Sequence, residues 1–245
     1  MKILALDSSG LVASVAVMEN DTLVAEYTMN YKKTHSQTLL PMLDEIKNNI
    51  QVDLSSIDAI AVAAGPGSFT GLRIGSATAK GLGLALDKPL IAVPTVDALA
   101  YNLYDTGEDT VVCPIMDARR NQVYTGIYKF QNHEMAIVKE QDALSIQELL
   151  EVLNGIGKKV IFLGDGVPVC KEIIKENCKV EYSFAPAHLS RQRAGAVAAL
   201  AGIYFAQGRI QTATEHQPDY LRVSQAEREL SLIHISEPTR LRCIS

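Results

Sequence analysis

Several features typical of secreted, membrane and metal-binding proteins are missing from this sequence of 245 residues. The cysteines form no C-x-x-C pair and have no histidine at a ligand spacing, so neither a disulfide framework nor a zinc site is predicted. The sequence does not open on a charged and then apolar leader, and no run approaches the roughly 18 apolar residues that span a bilayer. We therefore expect a cytoplasmic protein that does not contact a membrane.

The charge balance also lacks a basic surplus. The net charge is −5 and the isoelectric point is about 5.6. This excludes a nucleic-acid-binding protein that relies on its overall positive charge. Any contact with RNA would need a local patch or another subunit.

Catalytic motifs are missing as well. The chain has no H-x-x-x-H, H-E-x-x-H or G-x-S-x-G pattern. Its histidines occur singly, and each is expected to be a surface or capping residue: His35, His133, His188, His216 and His234. The sequence therefore predicts no catalytic residue and no metal site.

The chain does contain an internal duplication. Strand and helix patterns in the first 105 residues follow a β-β-β-α-β-α order, and residues 106–229 repeat it more loosely. Because no Pro- or Ser-rich linker separates the copies, we predict an α/β protein of two packed lobes, 1–105 and 106–229, with a cleft between them. The string LSLIHISEPTR begins abruptly and resembles a translated sequencing adapter, so residues 230–245 are interpreted as an artefact.

Two strand ends could bind a phosphate or nucleotide in that cleft. The first predicted strand ends in Asp7, Ser8 and Ser9, where a carboxylate, hydroxyls and turning backbone could hold a metal-bound phosphate. Asp117 follows the matching strand of the second copy. A plain turn capped by its own side chains is the alternative.

Two glycine-containing turns are further candidates. In the string GPGSFTGLR, Gly65 and Gly67 permit close backbone approach, Thr70 could cap the next helix, and Arg73 would suit an anion. The spacing is not that of a P-loop, and a purely structural turn is equally consistent. In a second turn, an aspartate between two glycines could bind a ribose hydroxyl or could simply join a strand to a helix: Gly164, Asp165 and Gly166.

The helix after the first glycine turn has small residues at every fourth position: Gly71, Gly75, Ala79 and Gly83. Each helical glycine costs about 1 kcal/mol relative to alanine, so this stripe needs an explanation. Close approach of another helix supplies one, and that helix could belong to the same chain or to a partner.

Several of these strings together resemble the TsaB (YeaZ) family. They are MKILALDSS at the start, GPGSFTGLRIG from Gly65, PLIAVPTVDALA from Pro89, GDG from Gly164 and PDYLRVSQAERE from Pro218. The resemblance covers the chain to about Leu230. It implies the two-lobed fold of the actin-like ATPases, which is a duplicated ribonuclease H-like fold with mixed sheets flanked by helices.

The resemblance also implies a function. TsaB proteins are non-catalytic subunits of a complex with TsaD and TsaE, which forms threonylcarbamoyladenosine beside the anticodon of tRNAs that read codons beginning with adenine. The tRNA is then contacted only through the complex, ATP and a metal ion belong to the partner subunits, and the chain alone forms a homodimer. The surface that docks TsaD or a second copy would comprise the small-residue stripe, Arg73 and one face of the preceding helix: Leu39, Leu43 and Ile46.

The same resemblance bears on catalysis. The metal-binding histidines of TsaD correspond to Thr95 and Leu99 here, and neither is a good metal ligand. The alternative is an ATP-hydrolysing or metallopeptidase-like enzyme of the same superfamily, supported by Asp7, Asp117 and the glycine turns.

Overall fold

The computed structural model describes residues 1–31, 34–132 and 134–221. The segment interpreted as an artefact, residues 230–245, lies outside these residues. So do His133, His234 and the part of the PDYLRVSQAERE string that follows Leu221.

The first half of the chain forms a mixed sheet of five strands in the order β3-β2-β1-β4-β5. β1 pairs antiparallel with β2 and parallel with β4. The parallel pair β1 and β4 is covered on both faces, which explains why each of these strands is a continuous apolar run. The strands are β1 (Lys2–Asp7), β2 (Ala13–Glu19), β3 (Thr22–Met29), β4 (Ala59–Gly65) and β5 (Leu90–Pro94), and the helices are α1 (His35–Ile50), α2 (Phe69–Leu86) and α3 (Thr95–Tyr101).

The second half repeats this arrangement in a sheet of order β10-β9-β6-β7-β8. β6 occupies the place of β1, between an antiparallel and a parallel neighbour. The predicted duplication and the two-lobed α/β fold are therefore confirmed. The strands are β6 (Thr110–Asp117), β7 (Gln122–Gln131), β8 (Glu134–Ser145), β9 (Lys159–Leu163) and β10 (Tyr182–Phe184), with helices α4 (Ile146–Ile156), α5 (Val167–Asn177) and α6 (Ala194–Ala206).

Helix α6 leaves the second half of the sequence and packs on the first sheet. Its Ala194, Ala198 and Ala201 lie in one buried cluster with Ala5, Ala16 and Ala61 of the strands. Small side chains on both surfaces allow the helix to lie close to the sheet. The division at residue 105 thus separates the two sheets, whereas the chain itself returns to the first lobe near its end; the domain boundaries stay a prediction.

Helix α3 joins the two lobes. Its Val96 and Leu99 pack in one cluster with Tyr128 and Phe130 of β7. The buried carboxylate of Asp97 accepts hydrogen bonds from the hydroxyl groups of Tyr128, at 2.7 Å, and of Tyr204 in α6, at 3.3 Å. One carboxylate therefore connects α3, the second sheet and the returning helix.

Helix α1 contains a proline in its interior. A proline there removes a backbone hydrogen bond and often kinks a helix, yet α1 runs from His35 to Ile50 with Pro41 exposed. The neighbouring Leu39 and Leu43 are buried against the first sheet, and this packing holds the helix in place. No helix among the described residues is long and apolar enough to cross a membrane.

Candidate functional site

The end of β1 forms the centre of the candidate site. Asp7 is buried, and its Oδ1 accepts hydrogen bonds from the Ser9 backbone N–H at 2.9 Å and from the Ser9 hydroxyl at 2.6 Å. The Ser8 hydroxyl donates to the Gly71 carbonyl at 2.9 Å. The predicted group of Asp7, Ser8 and Ser9 is thus brought together, but Ser8 faces helix α2.

Burial controls the charge of Asp7. Burial and, to a smaller degree, Asp165 raise the pKa of this carboxyl, the Ser9 hydrogen bonds and His35 lower it, and the resulting pKa is about 6. The second carboxylate oxygen, Oδ2, is buried without a hydrogen-bond partner among the described residues. An ionised Asp7 therefore lacks full compensation for its burial.

The second lobe contributes Asp165 and Asp117. The Asp117 N–H donates to Asp165 Oδ1 at 3.2 Å, and Asp117 itself is exposed. Burial raises the pKa of the Asp165 carboxyl, while the Asp117 N–H and Arg191 lower it. The charge of Asp165 is also among the causes that raise the pKa of Asp7, so the carboxylates of the two lobes interact electrostatically.

The glycines of the second lobe have a packing role. A side chain on Gly164 would collide with the Ile115 carbonyl oxygen, and Gly164 has a φ of +109°. The Gly166 N–H donates to the same carbonyl at 2.9 Å. Both glycines let the turn before α5 lie directly on β6.

The turn at Gly65 and Gly67 is filled by the chain itself. A side chain on Gly65 would collide with the Asp219 carbonyl oxygen, and one on Gly67 would collide with the Ser9 carbonyl oxygen. The helix cap predicted at Thr70 is wrong, because Ser68 is the N-cap residue and accepts from the Gly71 N–H at 3.3 Å. These contacts explain both glycines without a phosphate, and their phosphate-binding role stays a prediction.

The interpretation of the α2 stripe as a partner surface is wrong. Side chains on Gly71 or Gly75 would meet Ser8, and one on Gly83 would lie 3.4 Å from the Cβ of Ala213. Ala79 is fully buried in the same cluster as the first sheet. The stripe therefore lets α2 pack closely on its own lobe.

The predicted α1 contacts must be corrected in the same way. Their buried side chains belong to the core under the first sheet: Leu39, Leu43 and Ile46. Arg73 is exposed, and its guanidinium lies 4.7 Å from the centre of the Phe69 ring. The ring of Phe69 in turn stacks on Tyr220, with centroids 4.1 Å apart.

The solvent-facing side of α1 and α2 is a candidate interface that the sequence analysis did not identify. Leu84 is 70% exposed and Leu40 is 52% exposed. Ala77 and Gly81 are exposed on the same side of α2, and a side chain on Gly81 would meet nothing within 4 Å. The i, i+4 spacing of Ala77 and Gly81 is visible in the sequence, but the longer stripe of small residues on the inward side was interpreted as the contact surface instead.

The two positions predicted to correspond to the TsaD histidines are both buried. The Thr95 hydroxyl accepts from the Gly65 N–H at 3.2 Å, and Leu99 packs between the lobes. Across the described ranges, no group of three or more metal-ligating side chains could hold a metal ion.

Two histidines differ from the expectation of surface or capping positions. His35 begins α1, and its Nε2 lies 2.8 Å from the Gly10 carbonyl oxygen beside Asp7. His216 is fully buried, and desolvation lowers the pKa of its imidazole. Neither position was predictable, because residues distant in the sequence partly bury His35 and contact the buried His216.

Comparisons with known proteins agree with this architecture. A family model described as TsaD, tRNA N6-adenosine threonylcarbamoyltransferase, matches residues 22–230. The tRNA threonylcarbamoyladenosine biosynthesis protein TsaB of Bacillus subtilis is 34% identical over 93% of this chain and 96% of its own length. TsaB of Escherichia coli is 29% identical over 94% of this chain and 98% of its own length.

A solved structure supports the same assignment. YeaZ from Pseudomonas aeruginosa superposes with a TM-score of 0.77 at 30% identity, covering 90% of this chain and 99% of that chain. The chain belongs to the TsaB (YeaZ) family of tRNA threonylcarbamoyladenosine biosynthesis proteins, with an actin-like ATPase-related fold.

Proposed function

We propose that this chain is a non-catalytic subunit of a complex with TsaD and TsaE, and that it docks its partner through the solvent-facing side of α2. The observation that carries the docking proposal is Gly81. It lies on the solvent-facing side of α2, where glycine costs about 1 kcal/mol relative to alanine, and no contact with another described residue requires it. Close approach of a partner helix provides the missing reason.

The neighbouring residues suit such a contact. Ala77 precedes Gly81 by one helical turn, and Leu84 projects beside it with most of its surface exposed. On α1, which packs beside α2, Leu40 is also exposed. Small residues flanked by large apolar ones allow two helix backbones to approach and still bury substantial area.

A chain with the same fold is the partner that this surface favours. Most of this chain matches the family model named TsaD, so a TsaD subunit would present corresponding helices. The helix pair α1–α2 of this chain and the corresponding pair of TsaD can pack about a pseudo-twofold axis. Two copies of this chain can pack in the same way about an exact twofold axis. The proposal therefore includes a homodimer when TsaD is absent.

The absence of catalysis is also part of the proposal. Thr95 and Leu99 stand where TsaD has metal-binding histidines, so the ATP and the metal ion are assigned to the partner subunits and tRNA is contacted only through the complex. We place the complex in the cytoplasm, consistent with the free thiols of Cys113, Cys170 and Cys178.

An ATP-hydrolysing enzyme is the second candidate, because the buried Asp7 of the first lobe interacts electrostatically with Asp165 of the second. A metallopeptidase has less support. Nucleotide and metal analysis of the purified chain distinguishes these candidates from the subunit. Stoichiometric ATP with Mg²⁺ would favour the enzyme, whereas their absence together with tight TsaD binding favours the subunit.

The docking proposal is tested with Gly81→Leu. This variant inserts a large side chain at the proposed helix contact, where overpacking of about 1–3 kcal/mol weakens affinity roughly 5- to 150-fold. Gly155→Leu is the matched control, since Gly155 is also an exposed helical glycine with open space around it. Calorimetric titration with TsaD and light scattering of the chain alone measure the two associations.

We expect Gly81→Leu to remain folded and to lose TsaD binding and self-association together, while Gly155→Leu keeps both. Normal TsaD affinity in a folded Gly81→Leu variant would remove α2 from the interface.

A further inference from the structure

The turn between β6 and β7 has a backbone that disfavours the residues it contains. Three consecutive residues other than glycine have positive φ values: Arg119 (+63°), Arg120 (+56°) and Asn121 (+58°). A residue with a Cβ is unfavourable in this left-handed region, and asparagine tolerates it best. Among the described residues of the turns after β2 and after β7, the positive φ values fall on asparagines, Asn20 and Asn132. Two arginines at such positions therefore need an explanation.

Hydrogen bonds within the turn do not supply that explanation. The Arg119 N–H donates to Asp117 Oδ1 at 2.8 Å, and the Gln122 N–H donates to the Arg119 carbonyl at 3.1 Å. The Ala118 N–H donates to the Gln122 carbonyl at 3.0 Å, so the strands stay paired up to the turn. These bonds fix the backbone, but none of them uses an arginine side chain.

The turn presents mainly hydrogen-bond donors to solvent. Arg119, Arg120 and Asn121 are exposed, and neither arginine forms an ion pair within 4.0 Å with a described residue. The N–H groups of Arg120 and Asn121 also have no backbone partner in the described part of the chain. The two nearby carboxylates are already engaged, since Asp117 accepts from Arg119 and Asp165 accepts from the Asp117 N–H at 3.2 Å. Two guanidinium groups beside two N–H groups favour an anionic ligand, and guanidinium suits phosphate in particular.

An aromatic surface lies close to this turn. Tyr124 of β7 lines a narrow crevice between the lobes together with Phe69 and Tyr220. Tyr124 follows Asn121 by three residues of extended chain, which corresponds to about 10 Å. The rings of Phe69 and Tyr220 stack with centroids 4.1 Å apart, and the Arg73 guanidinium lies 4.7 Å from the centre of the Phe69 ring. Stacked aromatic rings with arginine beside them are common where proteins bind unpaired nucleotides, whereas an acidic peptide has no bases to stack.

We propose that the β6–β7 turn binds the phosphate backbone of the tRNA, with Arg119 and Arg120 each contacting a phosphate group. The neighbouring aromatic surface then faces unpaired bases. This inference rests on the proposed function, because it names the part of this chain that touches the RNA within the complex. It also fits the net charge of −5, since a chain without a basic surplus needs a local patch to contact RNA.

The test compares wild type with Arg119→Gln/Arg120→Gln in anisotropy titrations of labelled, unmodified tRNA. Loss of two charged contacts should weaken binding by about tenfold or more at about 0.1 M salt. The slope of log affinity against log salt concentration should become smaller by about 2, roughly 1 for each phosphate contact. Lys175→Gln/Lys179→Gln is the matched control, because it removes the same charge from exposed positions at the far end of α5 and should bind normally.

The titration is run with the TsaD complex and, at low salt, with the chain alone. The second arm needs no TsaD, so failure of the subunit proposal and failure of this inference can be distinguished. Calorimetry without RNA should give the same TsaD affinity for wild type and for Arg119→Gln/Arg120→Gln. Weaker TsaD binding by this variant would indicate an acidic protein surface as the ligand and would overturn the proposal. Unchanged tRNA affinity and salt slope in both arms would overturn it as well.

Arg120→Gly separates RNA binding from a structural role. Glycine adopts a positive φ without steric cost, so this variant should raise the urea midpoint of the free chain while it weakens tRNA binding. A lower midpoint together with unchanged tRNA affinity would show that the arginine serves the fold, and the proposal would then be wrong.

Discussion

At the scale of single residues, Asp7 should make stability depend on pH. Its carboxyl pKa is raised from 3.8 to about 6 in the folded chain, which corresponds to roughly 3 kcal/mol in favour of the protonated form. Because the pKa of Asp7 is higher in the folded than in the unfolded chain, this contribution to the free energy of unfolding is fully present below the unfolded-state pKa. It is lost as the pH rises through about 6. Asp7→Asn should therefore abolish the part of the stability loss that wild type shows between about pH 4 and pH 7.

Urea denaturation of both proteins across this range measures the effect. The difference between them isolates Asp7 from other titrating groups such as Asp97 and Asp165, whose carboxyl pKa values are also raised by burial. Parallel stability curves for the two proteins would show that Asp7 is not desolvated as described.

Gly75 gives a second prediction at this scale. A side chain there would meet Ser8 and Val62, so Gly75→Leu should destabilise the chain by roughly 1–3 kcal/mol or more despite the better helix propensity of leucine. Gly155→Leu, in open space, should be neutral or stabilising. Urea midpoints compare the two, and equal midpoints would place the stripe of α2 at the surface after all.

The residues of the candidate site were only partly predictable. Asp7 could be identified because it ends a buried apolar strand, and Asp117 because it ends the equivalent strand. His35 and Gln192 could not, because they meet at Gly10 only after the segment before α6 has returned to the first lobe. No local pattern records a contact between residues so far apart in the sequence.

At the scale of elements, the segment after α6 should stabilise both lobes. The Asp219 N–H donates to the Ala64 carbonyl at 2.7 Å, and Asp219 Oδ2 accepts from Gln141 of the second lobe at 2.9 Å. Next to it, Tyr220 stacks on Phe69 at an angle of 13°. Tyr220→Ala should cost about 1–2 kcal/mol, including the aromatic pair, and should increase hydrogen exchange in residues 211–221.

Tyr220→Phe is the control, since it keeps the ring and should retain stability and exchange protection. If Tyr220→Ala matched this control in both measurements, the segment would not hold the lobes.

The strands and helices themselves were largely predictable from periodicity. The inward side of α2 was not, because Gly75 and Ala79 face the sheet while Ala77 and Gly81, with equally small side chains, face solvent.

At the scale of the whole molecule, duplication of the β-β-β-α-β-α unit could be predicted from the sequence because each copy has its own strand ends and turns. The position of α6 could not be predicted, since its alanines suit close packing on either sheet. Only their fit to Ala5, Ala16 and Ala61 places the helix on the first sheet. The result is a two-lobed chain whose cleft and α2 surface are separate.

We propose that this chain acts by binding TsaD and not by catalysis of its own. The most direct measurement is threonylcarbamoyladenosine formed on tRNA by TsaD and TsaE with wild-type chain, Gly81→Leu or Gly155→Leu at a concentration near the wild-type dissociation constant. We predict no product from the chain alone, full product with wild type and Gly155→Leu, and a loss with Gly81→Leu that higher concentrations of the variant restore. Product formed by the chain without TsaD, or unaltered activity with a folded Gly81→Leu, would contradict this account.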